Sequence, residues 1–339
     1  MNSRDIHILA IESSCDDTSA SVLKNKKVLS NYVANQKVHE EFGGVVPELA
    51  SRAHQQNIVP VVDKAIKDSG LELKNIDAIA YTKGPGLLGS LLIGGSFAKA
   101  LSLSSGKPLI EINHMQAHIL AHMIDDNNSS PEFPFLCLTV SGGHTQIVKV
   151  VSPNEMNILG ETIDDAAGEA FDKAAKILDL PYPGGPLIDK YAKEGDPNRF
   201  PFPQPKVGEF EFSFSGLKTS FLYFLQKEMK KDSNFIKNNL NDICASIQST
   251  IVTILLNKFE KAIIKTGVKH IAIAGGVSAN SDLRRRFKEL GDKTNTIAHI
   301  PEFQYCTDNA AMIGINAYYK FLDQDFGDIN SLSMARWKF

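Results

Sequence analysis

Apolar runs of strand length alternate along this chain with short turns rich in glycine, serine and aspartate. Residues 6–11 (Ile-His-Ile-Leu-Ala-Ile) predict a buried strand, the polar segment 12–18 a tight turn, and residues 19–23 an antiparallel return. The same unit recurs far downstream. Residues 135–140 (Phe-Leu-Cys-Leu-Thr-Val) lead into Ser141-Gly-Gly-His-Thr145 and come back over 146–151. A second element also repeats. A strand over 76–81 enters Gly84-Pro-Gly86 and a helix over about 87–104, and a strand over 269–274 enters Gly275-Gly276 and a helix from about Ser281. Ile243, Ile247, Ile251, Ile254, Leu255 and Phe259 recur at helical spacing, which predicts an amphipathic helix over 242–264 with that stripe in the core. Residues 161–221 break the repeat and read as an insertion. They hold a helix over 165–178, the rigid loop Pro181-Tyr-Pro-Gly-Gly-Pro186, a short helix from Leu187 and a Pro- and Phe-rich connector over 200–214. The expected architecture is α/β, in two halves of similar plan, each turning glycines toward a shared cleft that clamps a phosphorylated ligand.

Composition narrows the class. With 339 residues, 43% hydrophobic and 22% charged, the chain can bury one large or two medium cores. No apolar run reaches the length of a membrane span. Residues 1–5 are polar and run directly into a strand, so no signal peptide is expected. Cys15, Cys137, Cys244 and Cys306 are scattered with no C-x-x-C, which suits reduced thiols and a cytoplasmic location. A net charge of −3 gives no general basic field, so any nucleic acid must be held by local patches. Basic clusters at 24–27, 227–231 and 284–288 are candidates, or simply solvated faces.

The chemistry-bearing residues fall in a few places. His114 and His118 lie one helical turn apart, and Asp308, in Thr307-Asp-Asn309, would complete a two-histidine, one-carboxylate set with open coordination positions. On spacing alone His118 and His122 make an equally good pair. Met115 stands where H-E-x-x-H would place a general base, which disfavours a zinc peptidase. The turns 141–145 and 274–280 can cradle an anion on backbone N–H groups, yet neither is a P-loop or a Rossmann fingerprint. Glu12, Asp16 and Asp17 crowd one turn; together they could share a cation or accept a proton, or form a solvated turn. Asp165 reads as a helix-start charge, Asp172 as a hydroxyl binder or a partner for Lys173, and Asp189 as a residue that could face a ligand.

Nine runs together carry a resemblance: IESSCDDTSAS, EFGGVVPELASRAH, AYTKGPGLLGSLLIG, NHMQAHILA, EFPFLCLTVSGGHTQIV, GETIDDAAGEAFDKAAKILDLPYPGGP, FSFSGLKT, AIAGGVSAN and CTDNAAMI. Extending from residue 6 to about 320, they resemble the tRNA threonylcarbamoyladenosine transferases, most closely the bacterial branch, once described as O-sialoglycoprotein endopeptidases. That resemblance implies an actin-like ATPase fold, a duplicated ribonuclease-H-like plan with two lobes around a nucleotide and metal cleft, on which a small-molecule kinase and an ATP-dependent scaffold are the rival functions. The lobes would span 1–110, completed by about 309–339, and 111–308 with the insertion at about 161–221. It implies transfer of threonylcarbamoyl from threonylcarbamoyl-AMP to N6 of the adenosine at position 37 of tRNAs that read codons beginning with adenine. His114, His118 and Asp308 match the metal ligands, with Fe(2+) expected and Zn(2+) an alternative. Thr139, Val140, Ser141, Gly142 and Gly143 match the substrate-binding run; Asp172, Gly185, Asp189 and Asn280 match further contacts to the nucleotide. The implied partners are tRNA, an inactive paralogous subunit that pairs through the N-terminal lobe, a small ATPase and the threonylcarbamoyl-AMP synthase, with no membrane. Two departures stand out: Ala53 where relatives often carry Asp, and a tail, 335–339, that ends sooner than many. For the proton released by the attacking amine, Asp16 is the expected base, because its turn should face the same site.

Overall fold

The computed structural model describes residues 4–126 and 129–339. By internal contacts the chain forms two compact units: residues 1–131, 151–156 and 301–339, and residues 132–150 and 157–300.

In the first unit, β1 (His7–Glu12), β2 (Thr18–Lys24), β3 (Lys27–Ala34), β4 (Ala78–Gly84) and β5 (Leu109–Asn113) form a sheet in the order β3-β2-β1-β4-β5. β1 pairs antiparallel with β2, and β2 with β3. Asn25, at φ 53°, closes the β2–β3 hairpin in the left-handed conformation that asparagine tolerates. β1, β4 and β5 run parallel. Their crossovers are α1 (Pro47–Asp68) and α2 (Leu88–Ser105), as parallel pairing requires. Pro47 suits the first turn of α1, where its missing N–H has no helical partner, and Gly106 at φ 65° ends α2. Leu9, Ile11, Val22, Ile79 and Tyr81 pack against Ile58, Val61 and Val62 of α1. Next, α3 (His114–Leu120) follows β5 with no intervening residue.

The second unit repeats the plan. β6 (Phe135–Val140), β7 (Thr145–Ser152) and β8 (Glu155–Glu161) are followed by α4 (Ala167–Ile177), α5 (Gly184–Ala192), α6 (Ser215–Met229) and α7 (Phe235–Thr266). Then come β9 (His270–Ala274), α8 (Ser281–Thr294) and β10 (Ile297–His299). The sheet order is β10-β9-β6-β7-β8, with β6 antiparallel to β7 and parallel to β9. Read from the other edge, this is the first sheet's arrangement, so the repeat expected from the sequence is a repeat of sheet topology. Its core joins Leu136, Leu138 and Ile147 to Phe171, Phe221, Ile251 and Phe259. The apolar stripe of α7 is buried as expected, and the helix starts earlier, at Phe235, with non-helical backbone at Asn239. α5 also starts before Leu187, at Gly184, because Asp172 draws in the Gly184 and Gly185 N–H groups.

Finally, α9 (Ala310–Leu322) returns to the first unit and packs on β1, β2 and α3. The contact boundary falls at Pro131/Glu132 rather than at 110/111, since β5 pairs with β4 and α3 packs on α9. No helix among the described residues is long and apolar enough to cross a membrane.

Candidate functional site

The first unit gathers His114, His118 and Asp308, whose ligand atoms all lie within 4.8 Å of one another. Local structure explains the convergence. Asn113 ends β5 and caps α3, its side-chain oxygen accepting from the N–H groups of Met115 (2.9 Å) and Gln116 (3.2 Å). The first residue of the helix and the residue one turn on then share a face. Their rings meet edge to face, with centroids 4.7 Å apart. Asp308 arrives just ahead of α9, where Asn309 caps Met312 N–H and the Ala310 N–H donates to Ser19 Oγ of β2 (2.9 Å). Asp308 Oδ1 is 3.4 Å from His114 Nε2 and 3.2 Å from His118 Nε2. His122, in the 3-10 turn Ala121–Met123 beyond α3, is outside this group.

Behind His114 stands Glu12, fully buried at the end of β1. Its Oε2 lies 3.1 Å from His114 Nδ1 and accepts from Thr82 Oγ1 at 2.6 Å, while Oε1 accepts from the Ser14 N–H. Ser14 Oγ also reaches His114 Nδ1, at 3.1 Å. A proton on Nδ1 therefore points at Glu12, and the Nε2 lone pair is left facing Asp308 and His118. Burial alone would push the His114 imidazole down; the Asp308 and Glu12 carboxylates outweigh it and hold its pKa well above the ordinary value. Burial likewise works against the charged form of Asp308, yet His114 and His118 hold that carboxyl below the usual range. Glu12 is held low in the same way, against burial, by His114. A buried carboxylate, Glu12, and a partly buried one, Asp308, thus favour a positive charge here. Two imidazole nitrogens and a carboxylate oxygen, with Glu12 steering one ring, fit a borderline divalent ion such as zinc or iron. His118 Nδ1 is buried with no hydrogen-bond partner among the described residues, so only one of the two rings is steered.

The carboxylate turn between β1 and β2 is clamped by His54 of α1. Its ring meets the Cys15 carbonyl at 2.9 Å and Thr18 Oγ1 at 2.8 Å. Burial pushes the His54 pKa down, which keeps this clamp neutral. Asp16 is half-buried and contacts the Cys15 thiol. Asp17 accepts from Asn35 Nδ2 (2.7 Å); burial first, then Asp16 and Asp308, raise its pKa to about 7.

The second unit places the other expected residues around two glycine turns. Thr139 and Val140 end β6, and the Ser141 N–H donates to the His144 carbonyl (2.8 Å) to close the turn. Gly142 and Gly143 are exposed, and a Cβ on either would meet no atom within 4 Å. The α4 start presses on this turn: a Cβ on Gly168 would lie 2.6 Å from the Ser141 carbonyl oxygen. Gly275, at φ 86°, brings the second turn against β6, where a Cβ would sit 2.5 Å from the Val140 oxygen. Asn280 caps α8, accepting from Leu283 N–H (3.0 Å) and donating to Gln248 (2.7 Å). Asp189 accepts from the Ser281 N–H and hydroxyl. Asp172 accepts from Gly184 N–H (2.9 Å) and Gly185 N–H (3.3 Å), and not from Lys173, which pairs with Asp165 and Glu169. Asp172, Asp189 and Asn280 therefore fix the loops and helix starts around the turns, whatever else they touch. Exposed N–H groups beside two helix N-termini can receive an anion.

Several members of the basic clusters are spent on neighbours. Arg285 pairs with Asp282 and Glu289, Arg286 reaches the Ser249 carbonyl and Thr253, and Lys24 pairs with Asp5. Sequence reasoning missed the separate part of Glu12 within its acidic turn, and missed Ser14, Thr82, Asn113 and His54 altogether. Nothing in their spacing marks them, because each acts through a partner at least about 36 positions away or through a helix cap.

Comparison with known proteins bears on the family and the fold. The family model for tRNA N6-adenosine threonylcarbamoyltransferase matches residues 27–315. A protein of that name from Christiangramia forsetii is 61% identical over 340 residues, covering 100% of both chains. Another from Riemerella anatipestifer is 56% identical, covering 98% of this chain and 97% of its own. Among solved structures, T. kodakarensis HypF superposes with a TM-score of 0.61 at 14% identity, over 96% of this chain and 50% of that one. The Acidaminococcus fermentans (R)-2-hydroxyglutaryl-CoA dehydratase component A gives 0.55 at 14%, over 93% and 98%. The fold is the actin-like ATPase fold, and the chain belongs to the tRNA N6-adenosine threonylcarbamoyltransferase family.

Proposed function

We propose that this protein transfers threonylcarbamoyl from threonylcarbamoyl-AMP to N6 of the adenosine at position 37 of tRNAs reading codons that begin with adenine, and that it does so with a divalent ion held by His114, His118 and Asp308. Family membership supports the reaction. The observation that supports the ion is the meeting of two histidine Nε2 atoms and Asp308 Oδ1, with Glu12 oriented on the far side of one ring. When held by His114, His118 and Asp308, such an ion would polarise the carbamoyl carbonyl as a Lewis acid.

The chain's own residues have the remaining tasks. N6 attacks the carbamoyl carbon, the bond to the phosphate oxygen breaks, AMP departs and N6 loses one proton. Gly142 and Gly143 offer N–H groups for the leaving phosphate, on a turn that follows Thr139 and Val140, that Ser141 closes and that the Gly168 contact preorganises. Asp172, Gly185, Asp189 and Asn280 shape the seat of the nucleotide. Asp16 is the proposed proton acceptor, with Asp17 beside it as the carboxylate whose raised pKa also suits that task. The proposed partners are tRNA, an inactive paralogue bound to the N-terminal lobe, a small ATPase and the synthase that makes the adenylate. The proposed location is the cytoplasm.

The test is reconstitution with threonine, bicarbonate, ATP, the adenylate-forming enzyme, the partner subunits and unmodified tRNA, followed by mass analysis of the nucleosides. Modified adenosine is expected with the parent and not with a His114→Ala, His118→Ala protein. Full activity of that double variant would refute the ion, and absence of any modified nucleoside with the parent would refute the reaction.

A further inference from the structure

The segment 331–337 is largely exposed, yet it is tied down along its length on the first unit. The Met334 N–H donates to the Lys83 carbonyl (2.8 Å), and the Gly86 N–H donates to the Ala335 carbonyl (3.2 Å). The approach is so close that a Cβ on Gly84 would fall 2.0 Å from the Met334 oxygen. Ser331 bonds to Glu111 and Lys99, and Ser333 Oγ reaches the Leu91 carbonyl at 3.4 Å. Lys83, ion-paired to Glu111 at 2.7 Å, also sits 5.4 Å from the centre of the Trp337 ring. The strap then ends on the metal helix: Asn113 Nδ2 donates to the Trp337 carbonyl at 3.2 Å.

Asn113 is fully buried and divided between two tasks. Its oxygen holds the first turn of α3, and its nitrogen holds the strap. If the strap leaves, the Asn113 amide loses the acceptor that fixes its orientation, and the side chain is freer to turn. The cap on the turn that carries His114 and reaches toward His118 is then loosened. We propose that Asn113 is a positioning residue that couples docking of the 331–337 strap to the affinity of the histidine–aspartate centre for its ion. This rests on the metal reading above. Coupling of this kind is reciprocal: the docked strap tightens the ion, and the ion tightens the strap by the same factor.

Trp337 is the chain's single tryptophan, so its emission reports on the strap alone. The experiment uses the full-length metal-free protein, an Asn113→Asp variant, a variant lacking residues 336–339, and Leu332→Ala as an exposed control. Asn113→Asp keeps the helix-capping oxygen and removes the donor to Trp337. Two quantities are read: acrylamide quenching of Trp337 without metal, and the Zn(2+) dissociation constant by chelator competition. In Asn113→Asp, Trp337 becomes more accessible, and Zn(2+) binding weakens at least about tenfold, in the range found for partners that orient ligands. Deleting 336–339 weakens Zn(2+) to the same extent, the double change is no worse than either, and Leu332→Ala matches the parent. Melting of the metal-free variants within a few degrees of the parent separates these effects from unfolding. Unchanged quenching in Asn113→Asp overturns the strap contact. Changed quenching with Zn(2+) affinity within twofold of the parent overturns the coupling. A parent that binds no Zn(2+) refutes the ion itself, and with it the proposed coupling, while quenching still decides the strap contact.

Discussion

Glu12→Gln is the sharpest probe of the proposed centre, because it changes one atom of a fully buried side chain. The carboxylate has three kinds of donor around it: the Ser14 N–H on one oxygen, and the Thr82 hydroxyl and His114 Nδ1 on the other. A glutamine offers one oxygen and one NH2 to the same surroundings. With its oxygen toward Ser14, its NH2 faces His114 Nδ1, which must then accept; the ring proton moves to Nε2 and blocks the lone pair meant for the ion. With its oxygen toward His114, two donors collide at Ser14. The first arrangement removes the ligand lone pair, and the second leaves the Ser14 N–H unmet. Loss of a ligand-orienting contact costs roughly 10–100-fold in metal affinity, about 1.4–2.8 kcal/mol. Chelator competition with Zn(2+) near neutral pH measures this directly, and the threonylcarbamoyl transfer rate should fall with it at limiting metal. A dissociation constant within twofold of the parent would show that Glu12 does not set the tautomer of His114, and the account of the centre would fail.

Other expectations follow from the same geometry. Asp17 has a folded pKa of about 7 against 3.8 unfolded, so its ionisation costs stability that is absent below about pH 4 and full above about pH 7. Asp17→Asn should therefore stabilise the metal-free protein by about 2 kcal/mol in denaturant titrations at alkaline pH, after allowing for partial exposure, and by little at pH 4. His114 has a raised folded pKa, so its contribution is fully present below its unfolded value of 6.5 and is lost as pH rises through the folded value. Asp308 and Glu12, both depressed, contribute above their unfolded values and lose that contribution in acid. Melting of the metal-free protein across pH should show both limbs, and saturating Zn(2+) should remove the alkaline one; an alkaline limb that survives Zn(2+) would exclude His114 as its source. A Cβ on Gly184 would lie 2.2 Å from Ala175 Cβ, so Gly184→Ala should cost about 1–3 kcal/mol. At Gly185 the nearest atom is 3.9 Å away, so Gly185→Ala should leave stability within about 0.5 kcal/mol, while calorimetry with an adenylate analogue should show weaker binding.

The repeat was legible because a strand buried on both faces writes a continuous apolar run, and a glycine turn breaks it in a recognisable place. β6 falls on the expected residues 135–140, and the apolar stripe of α7 is buried. Boundaries set by distant partners were not legible. For Asp172 the chain suggests a bound hydroxyl or a pair with Lys173; of these the Lys173 pair does not form, and the carboxylate bonds to Gly184 and Gly185, twelve and thirteen positions away, and so starts α5 early. Asp189 and Asn280 were read as facing a ligand, and both also hold the start of α8.

The sequence by itself determined the α/β plan, its duplication, the family and the residue types that can hold an ion, because these depend on local periodicity and on motifs contiguous in the chain. Spacing alone left His118 with two equally spaced partners, which only the family resemblance narrowed to His114, and gave Glu12 no part apart from Asp16 and Asp17. Tertiary structure shows where each of these side chains lies. α3 ends before His122, which leaves His114 and His118 facing Asp308, and β1 carries Glu12 beneath the His114 ring while Asp16 and Asp17 stay in the turn. The physical reason is that a proton's place on an imidazole, or the charge of a buried carboxylate, is set by whatever lies within about 3–4 Å of it. Here those neighbours are 102 and 190 positions away in the chain.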